Sequence, residues 1–152
     1  MARARSAPAK PPAPYRPAWP RCPHCGGPDR PKGPPGFSVL VEVATVSEAN
    51  KRDRFGKQDR KAAQREAAYE AVAVALGAGG VIPSKGPWFV RLTRRASTRL
   101  DKGNLPSALK AVEDQIAACV GVDDGSPLYE PEYEQEPRGK RPEAVLVEVW
   151  GS

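Results

Sequence analysis

Eleven of the 18 prolines in this 152-residue chain fall within residues 1–36. Proline lacks a backbone N–H and has a fixed φ, so a segment this rich in it supports neither a helix nor a strand ladder and favours extended polyproline geometry. That distribution divides the chain into a disordered arm, 1–36, and one folding domain, 37–152. The arm holds seven Lys or Arg and one acid, so the formal net charge of +6 resides there and the domain is neutral. The domain is nevertheless polarised. Residues 51–66 carry seven basic and three acidic groups, whereas 113–136 carry eight acidic groups and no basic one. A basic segment suits phosphates and an acidic one suits cations. No apolar run approaches the roughly 18 residues of a membrane span, and the Arg-rich start has no apolar core of a secretory signal. Three cysteines are too few for a disulfide framework, so a reducing cytoplasm is the expected compartment.

The arm could add salt-sensitive phosphate affinity or serve as a solubilising extension. Within it, Cys22-Pro-His-Cys25-Gly-Gly has the spacing of half a zinc ribbon, in which two thiolates chelate one tetrahedral ion. The second half is missing from the sequence. An unmetallated loop is the expectation; a structural Zn²⁺ would need His24, Cys119, carboxylates or a second subunit to complete it.

In the domain, Phe37–Val46 is rich in β-branched residues and reads as a strand. Residues 58–76 have helix-forming composition, with Ala63, Ala67, Val72 and Leu76 placed to face a core. Residues 87–95 form a second strand, with Phe89, Arg91 and Thr93 on one face and Trp88, Val90 and Leu92 on the other. Asn104 suits an N-cap and Pro106 a first turn. After them Leu105, Leu109, Val112, Ile116 and Cys119 recur as one buried stripe. The run from Gly121 to Pro127 reverses the chain, and residues 129–135 and 144–150 read as two strands joined by a polar tip. Pro131 marks the first of these as an edge strand. The order β-α-β-α-β-β predicts an α+β domain with a small mixed sheet and two main helices.

Several residues are placed for chemistry. Lys51, Arg52, Arg54 and Lys57, in a basic loop over 50–59, suit phosphate contacts, or simply a solvated charge run. Arg94, Arg95 and Arg99 gather near the carboxylate of Asp101, an arrangement suited to receiving a polyanion. Lys110 and Asp114 lie four apart, off the apolar stripe, as a surface ion pair or as part of a site. Asp123 and Asp124 close the following turn.

Taken in order, Asp101-Lys-Gly-Asn104, Lys110 with Asp114, and Val122-Asp-Asp124 resemble the pattern of the RusA-type Holliday-junction resolvases. That pattern is an Asp-x-Asp-Asn turn, a helix with a Lys and an Asp four residues on, and an Asp-Asp turn before a strand. The resemblance spans roughly 38–150 and rests mainly on 99–127. It implies a homodimeric endonuclease of bacterial or phage-infected cytoplasm that cuts four-way DNA junctions using Mg²⁺ or Mn²⁺. It also implies catalytic roles for Asp101, Lys110 and Asp124, and metal ligation by Asp101, Asp123 and Asp124. Two departures accompany it. Lys110 stands three residues further from Asn104 than in the best-known form, and Gly103 replaces the second Asp of the turn, a gap for which Glu132 and Glu134 are the candidate substitutes. The alternatives are a branched-DNA-binding protein of the same fold, impaired in catalysis, and an interaction protein unconnected with DNA.

The half-ribbon yields a direct expectation. Protein purified in reducing buffer should carry no stoichiometric zinc by elemental analysis, and Cys22→Ser should leave that value unchanged. One equivalent of zinc, lost in the variant, would contradict it.

Overall fold

The computed structural model of the chain describes residues 33–46 and 54–151. The elements run β1 (Phe37–Val41), α1 (Arg54–Gly77), β2 (Trp88–Ala96), α2 (Asn104–Val120), β3 (Tyr129–Pro137) and β4 (Ala144–Trp150). This is the α+β order expected from the sequence. The arm expected over 1–36 lies outside the described residues as far as residue 32.

The four strands form one mixed sheet in the order β1-β4-β2-β3. β4 pairs antiparallel with both β1 and β2, while β2 and β3 run parallel, from Trp88 opposite Tyr129 to Ala96 opposite Pro137. Parallel neighbours need a crossover, and α2 is that crossover. β3 lies at the sheet edge, where a proline such as Pro131 is tolerated because no further strand pairs on the open side.

Strand alternation sorts the side chains. Val39, Val41, Val90, Leu92, Val145, Val147 and Val149 form one buried layer, against which α2 sets Leu105, Leu109, Val112 and Ile116. The stripe read from the sequence is therefore the core face of α2, and Cys119 packs partly buried at its end. The α1 face differs from expectation by about one position. Gln64, Ala68 and Val72 are buried, whereas Ala63 is exposed and Leu76 is 42% exposed. The small side chains on α1 let either rotation look apolar, and packing against α2 and β1 decides it. The first strand also ends earlier than expected, at Val41, where its ladder reaches Val145 near the start of β4; beyond it Thr45 is buried and donates to Glu143. The basic loop is shorter than expected too: helix already begins at Arg54, so Lys57 sits on α1. No helix among the described residues is long and apolar enough to cross a membrane.

Leu109 is fully buried between α2 and the sheet. Leu109→Ala should therefore cost about 3 kcal/mol, as for other core leucine truncations, measured by urea unfolding. A cost below about 1 kcal/mol would contradict this packing.

Candidate functional site

Two loops flank α2. The first, 97–103, is held down from both sides. Gln135 on β3 uses its amide twice, donating Nε2 to Leu100 O (2.6 Å) and accepting the Leu100 N–H (3.0 Å). Arg94 is 3% exposed, and its guanidinium donates to Thr98 O (2.6 Å), Thr45 Oγ1 (2.7 Å) and Thr45 O (3.0 Å), with Glu143 3.6 Å away. Arg94 is thus a buried clamp between the ends of three segments, and its donors face protein acceptors rather than an incoming phosphate. Arg95 is ion-paired with Glu136. Of the three arginines placed near Asp101 by sequence, Arg99 is the one left exposed and without an ion pair among the described residues.

The start of α2 also departs from expectation. Asn104 is the first helical residue, Gly103 occupies the cap position, and no side chain caps the helix. The backbone carbonyl of Asp101 substitutes, accepting the N–H groups of Asn104 (2.9 Å) and Leu105 (3.0 Å). The Asp101 side chain is left exposed. At Gly103 a Cβ would meet no heavy atom within 4 Å, so no steric reason requires glycine there.

The second loop follows the C-terminus of α2. Gly121 adopts φ 81°, the left-handed conformation that stops a helix without a Cβ penalty. Its N–H and that of Val122 both return to Ala117 O. The chain then doubles back along the helix. Asp123 accepts the Gly125 N–H through Oδ1 (2.9 Å), closing a tight turn, and Asp124 is directed onto Lys110.

There the site assembles. The Lys110 ammonium donates to Asp124 and also lies 2.9 Å from Asp114 Oδ1. Asp114 in turn is 4.0 Å from Arg65 of α1. Lys110, Asp114, Asp123 and Asp124 line one shallow surface pocket with Ala117, Ala118 and Val122. The bond from Asp124 holds the Lys110 ammonium well above its ordinary pKa, and the same bond holds Asp124 below the ordinary carboxylate range. Lys110 therefore stays protonated at any physiological pH. In that form it is suited to stabilising negative charge.

Beneath this pocket lies a group that the sequence reading missed. Glu113 is 2% exposed and accepts the Tyr133 hydroxyl at 2.5 Å. Burial raises its pKa, despite that hydrogen bond and the nearby Lys110. Its place beside the Lys110–Asp114 pair was a sequence signal, but a lone Glu off the apolar stripe reads as solvent-facing. Only the inward Tyr133 shows otherwise.

The remaining sequence-selected residues are more scattered. Glu132 and Glu134 cannot fill the gap left by Gly103. Alternation along β3 turns Tyr133 toward α2 and these two toward the opposite sheet face, where Arg91 lies 2.9 Å from Glu132 and 3.8 Å from Glu134. Asp101 stands before α2, and from Asn104 to Lys110 the helix alone rises about 9 Å. Cys22, Cys25, Lys51, Arg52 and the Arg54 side chain lie outside the described residues. Among the described residues no three His, Cys, Asp or Glu side chains are grouped to hold one metal ion. The donor chemistry of the turn still suits Mg²⁺ or Mn²⁺, because Mg²⁺ takes hard oxygens and is often held by only one or two carboxylates. Asp124 with Asp123 would be those ligands.

Comparisons with protein-family models, curated proteins and solved structures return no match to this chain.

The buried carboxyl makes a pH prediction. Because the folded pKa of Glu113 is raised above its unfolded value near ~4.3, its contribution to stability is greatest below that value and is lost as pH rises through the folded pKa. Glu113→Gln should abolish this loss. Between about pH 4 and pH 8 the Tm of the variant should rise relative to that of the parent protein; a pH-independent difference in Tm would contradict a titrating, buried Glu113.

Proposed function

We propose that the domain is a structure-selective DNA endonuclease that cleaves four-way junctions by phosphodiester hydrolysis, acting with Mg²⁺ or Mn²⁺ as a homodimer in bacterial or phage-infected cytoplasm. One observation carries the reading. Lys110, Asp114 and Asp124, selected as pieces of a resolvase-like pattern, meet at a single exposed point although the lysine and the last aspartate lie 14 residues apart.

The chain's own residues have distinct tasks in this reading. Lys110, permanently cationic, pairs with the scissile phosphate and stabilises the charge that grows on it in the transition state. Asp124 and Asp114 hold the ammonium in place until a phosphate competes for it. Asp124 and Asp123 would hold the metal, which supplies activated water and further charge stabilisation. Asp101, on the clamped 97–103 loop, adds a carboxylate at the other end of α2. A C2 dimer would match two such sites to the near-twofold arms of a junction.

The second reading, junction binding without cleavage, is favoured by one observation: the carboxylate missing at Gly103, at a place where a side chain would fit.

Labelled junction incubated with Mg²⁺, Mn²⁺ or EDTA separates the two. Cleavage should require metal and vanish in Asp124→Asn, and Lys110→Ala should slow it about 10²–10³-fold, the usual cost of losing one charge stabiliser. Gly103→Asp should fold normally and cut faster. Binding without cutting in the parent, with cutting acquired by Gly103→Asp, would establish the second reading. Neither binding nor cutting would remove the DNA assignment.

A further inference from the structure

The end of the sheet that carries the 97–103 loop also carries a second tip, 138–143, the connection that passes from β3 over the end of β2 to β4. We propose that Arg138, Lys140 and Arg141 of this tip, with Arg99 and Lys102 of the loop, form the surface that grips the DNA phosphate backbone. The proposal rests on the reading above that the partner is DNA, and it adds to Arg99 and Lys102 the three cations of the tip, which lie outside the pattern that suggested that reading.

The tip is built into the same end as the loop. The Arg138 N–H donates to Ala96 O (3.2 Å), the last residue of β2 and the entry to the loop. The tip closes on itself through the Arg141 N–H to Arg138 O (3.2 Å), and Gly139 takes φ 62° at its apex. Loop and strand end share a small cavity lined by Ser97, Thr98, Arg99, Gln135, Glu136 and Pro137. Beyond the tip, Glu143 Oε1 accepts the Thr45 N–H (3.1 Å).

Charge at this end is uneven. Its acids among the described residues are Asp101, Glu136 and Glu143; the last two are engaged, Glu136 by Arg95 and Glu143 by Arg94 and Thr45. Among the described residues Arg99, Lys102, Arg138, Lys140 and Arg141 have no ion-pair partner, and all but the half-buried Arg138 are exposed. Five cations without an ion-pair partner thus cluster on two loops held by backbone hydrogen bonds, and the Arg138 and Arg141 guanidinium groups also donate to each other's backbone carbonyls (3.3 and 3.4 Å). That suits a regularly spaced row of phosphates. The acidic turn at 123–124 folds back along α2 only as far as Lys110, so DNA held at the start of the helix would approach Lys110 from the basic side.

The test measures junction affinity by fluorescence anisotropy across a salt series, using the full chain and the triple variant Arg138→Ala/Lys140→Ala/Arg141→Ala. Each lost phosphate contact lowers the slope of log K against log salt by about 0.9. The triple variant should lose about 2 to 3 in slope and at least tenfold in affinity, and Lys140→Glu alone should weaken binding in the same direction with an unchanged Tm. An unchanged slope and affinity in both variants, with the parent binding tightly, would overturn this surface and leave the nuclease reading standing. Slope loss in a protein that never cuts junction DNA would support the surface while the nuclease reading fails. A parent chain that does not bind DNA would overturn both.

Discussion

The parallel pairing of β2 with β3 is the constraint from which the arrangement of this domain follows. Two parallel neighbours cannot be joined by a tight turn, so the chain must travel the length of the sheet outside it before the second strand begins. Here α2 makes that journey, and its apolar stripe fills the space over the valine layer of the sheet. The chemistry-bearing residues then fall at three stations: Asp101 before the helix, Lys110 and Asp114 along it, and Asp123 and Asp124 in the turn after it. The left-handed cap at Gly121 sends that turn back along the helix, and the Lys110–Asp124 contact follows.

An exposed ion pair of this kind adds little to stability, because solvent screens it. Its consequence is chemical. An ammonium shared by two carboxylates is held in one place and in its charged form. Glu113, buried between Lys110 and Asp114 in sequence and bonded to Tyr133, ties that turn of α2 to β3. The clamps on the 97–103 loop act in the same sense at the other end: Arg94 and Gln135 spend strong hydrogen bonds on backbone atoms of a loop, which positions whatever that loop presents.

Much of the fold was legible in the sequence because its signals were periodic. The α2 stripe, the alternation of β2 and the edge proline of β3 each follow from a repeat of 3.6 or 2 residues. The α1 rotation was not legible, since alanines at 63, 67, 68, 71 and 75 offer several faces of nearly equal apolarity. In the site, the Lys110–Asp114 pair was local and therefore readable, whereas its junction with Asp124 depended on the return of the turn. Arg94 reads as a surface cation in a run of basic residues; only the tertiary positions of Thr45 and Thr98 bury it. Glu132 and Glu134 were near the site in sequence, but alternation along β3 sends them to the other side of the sheet.

The central claim is that the surface spanning Lys110, the 123–124 turn and the basic loops at the start of α2 receives DNA. The most direct measurement is an amide ¹H–¹⁵N chemical-shift map of the labelled chain titrated with an unlabelled four-way junction. The account predicts saturable shifts at Lys110, Asp123, Asp124, 97–103 and 138–141, with little change at Leu40 or Glu148 on the face of the sheet away from the helices. Shifts concentrated on that outer face, or none at saturating junction, would contradict it.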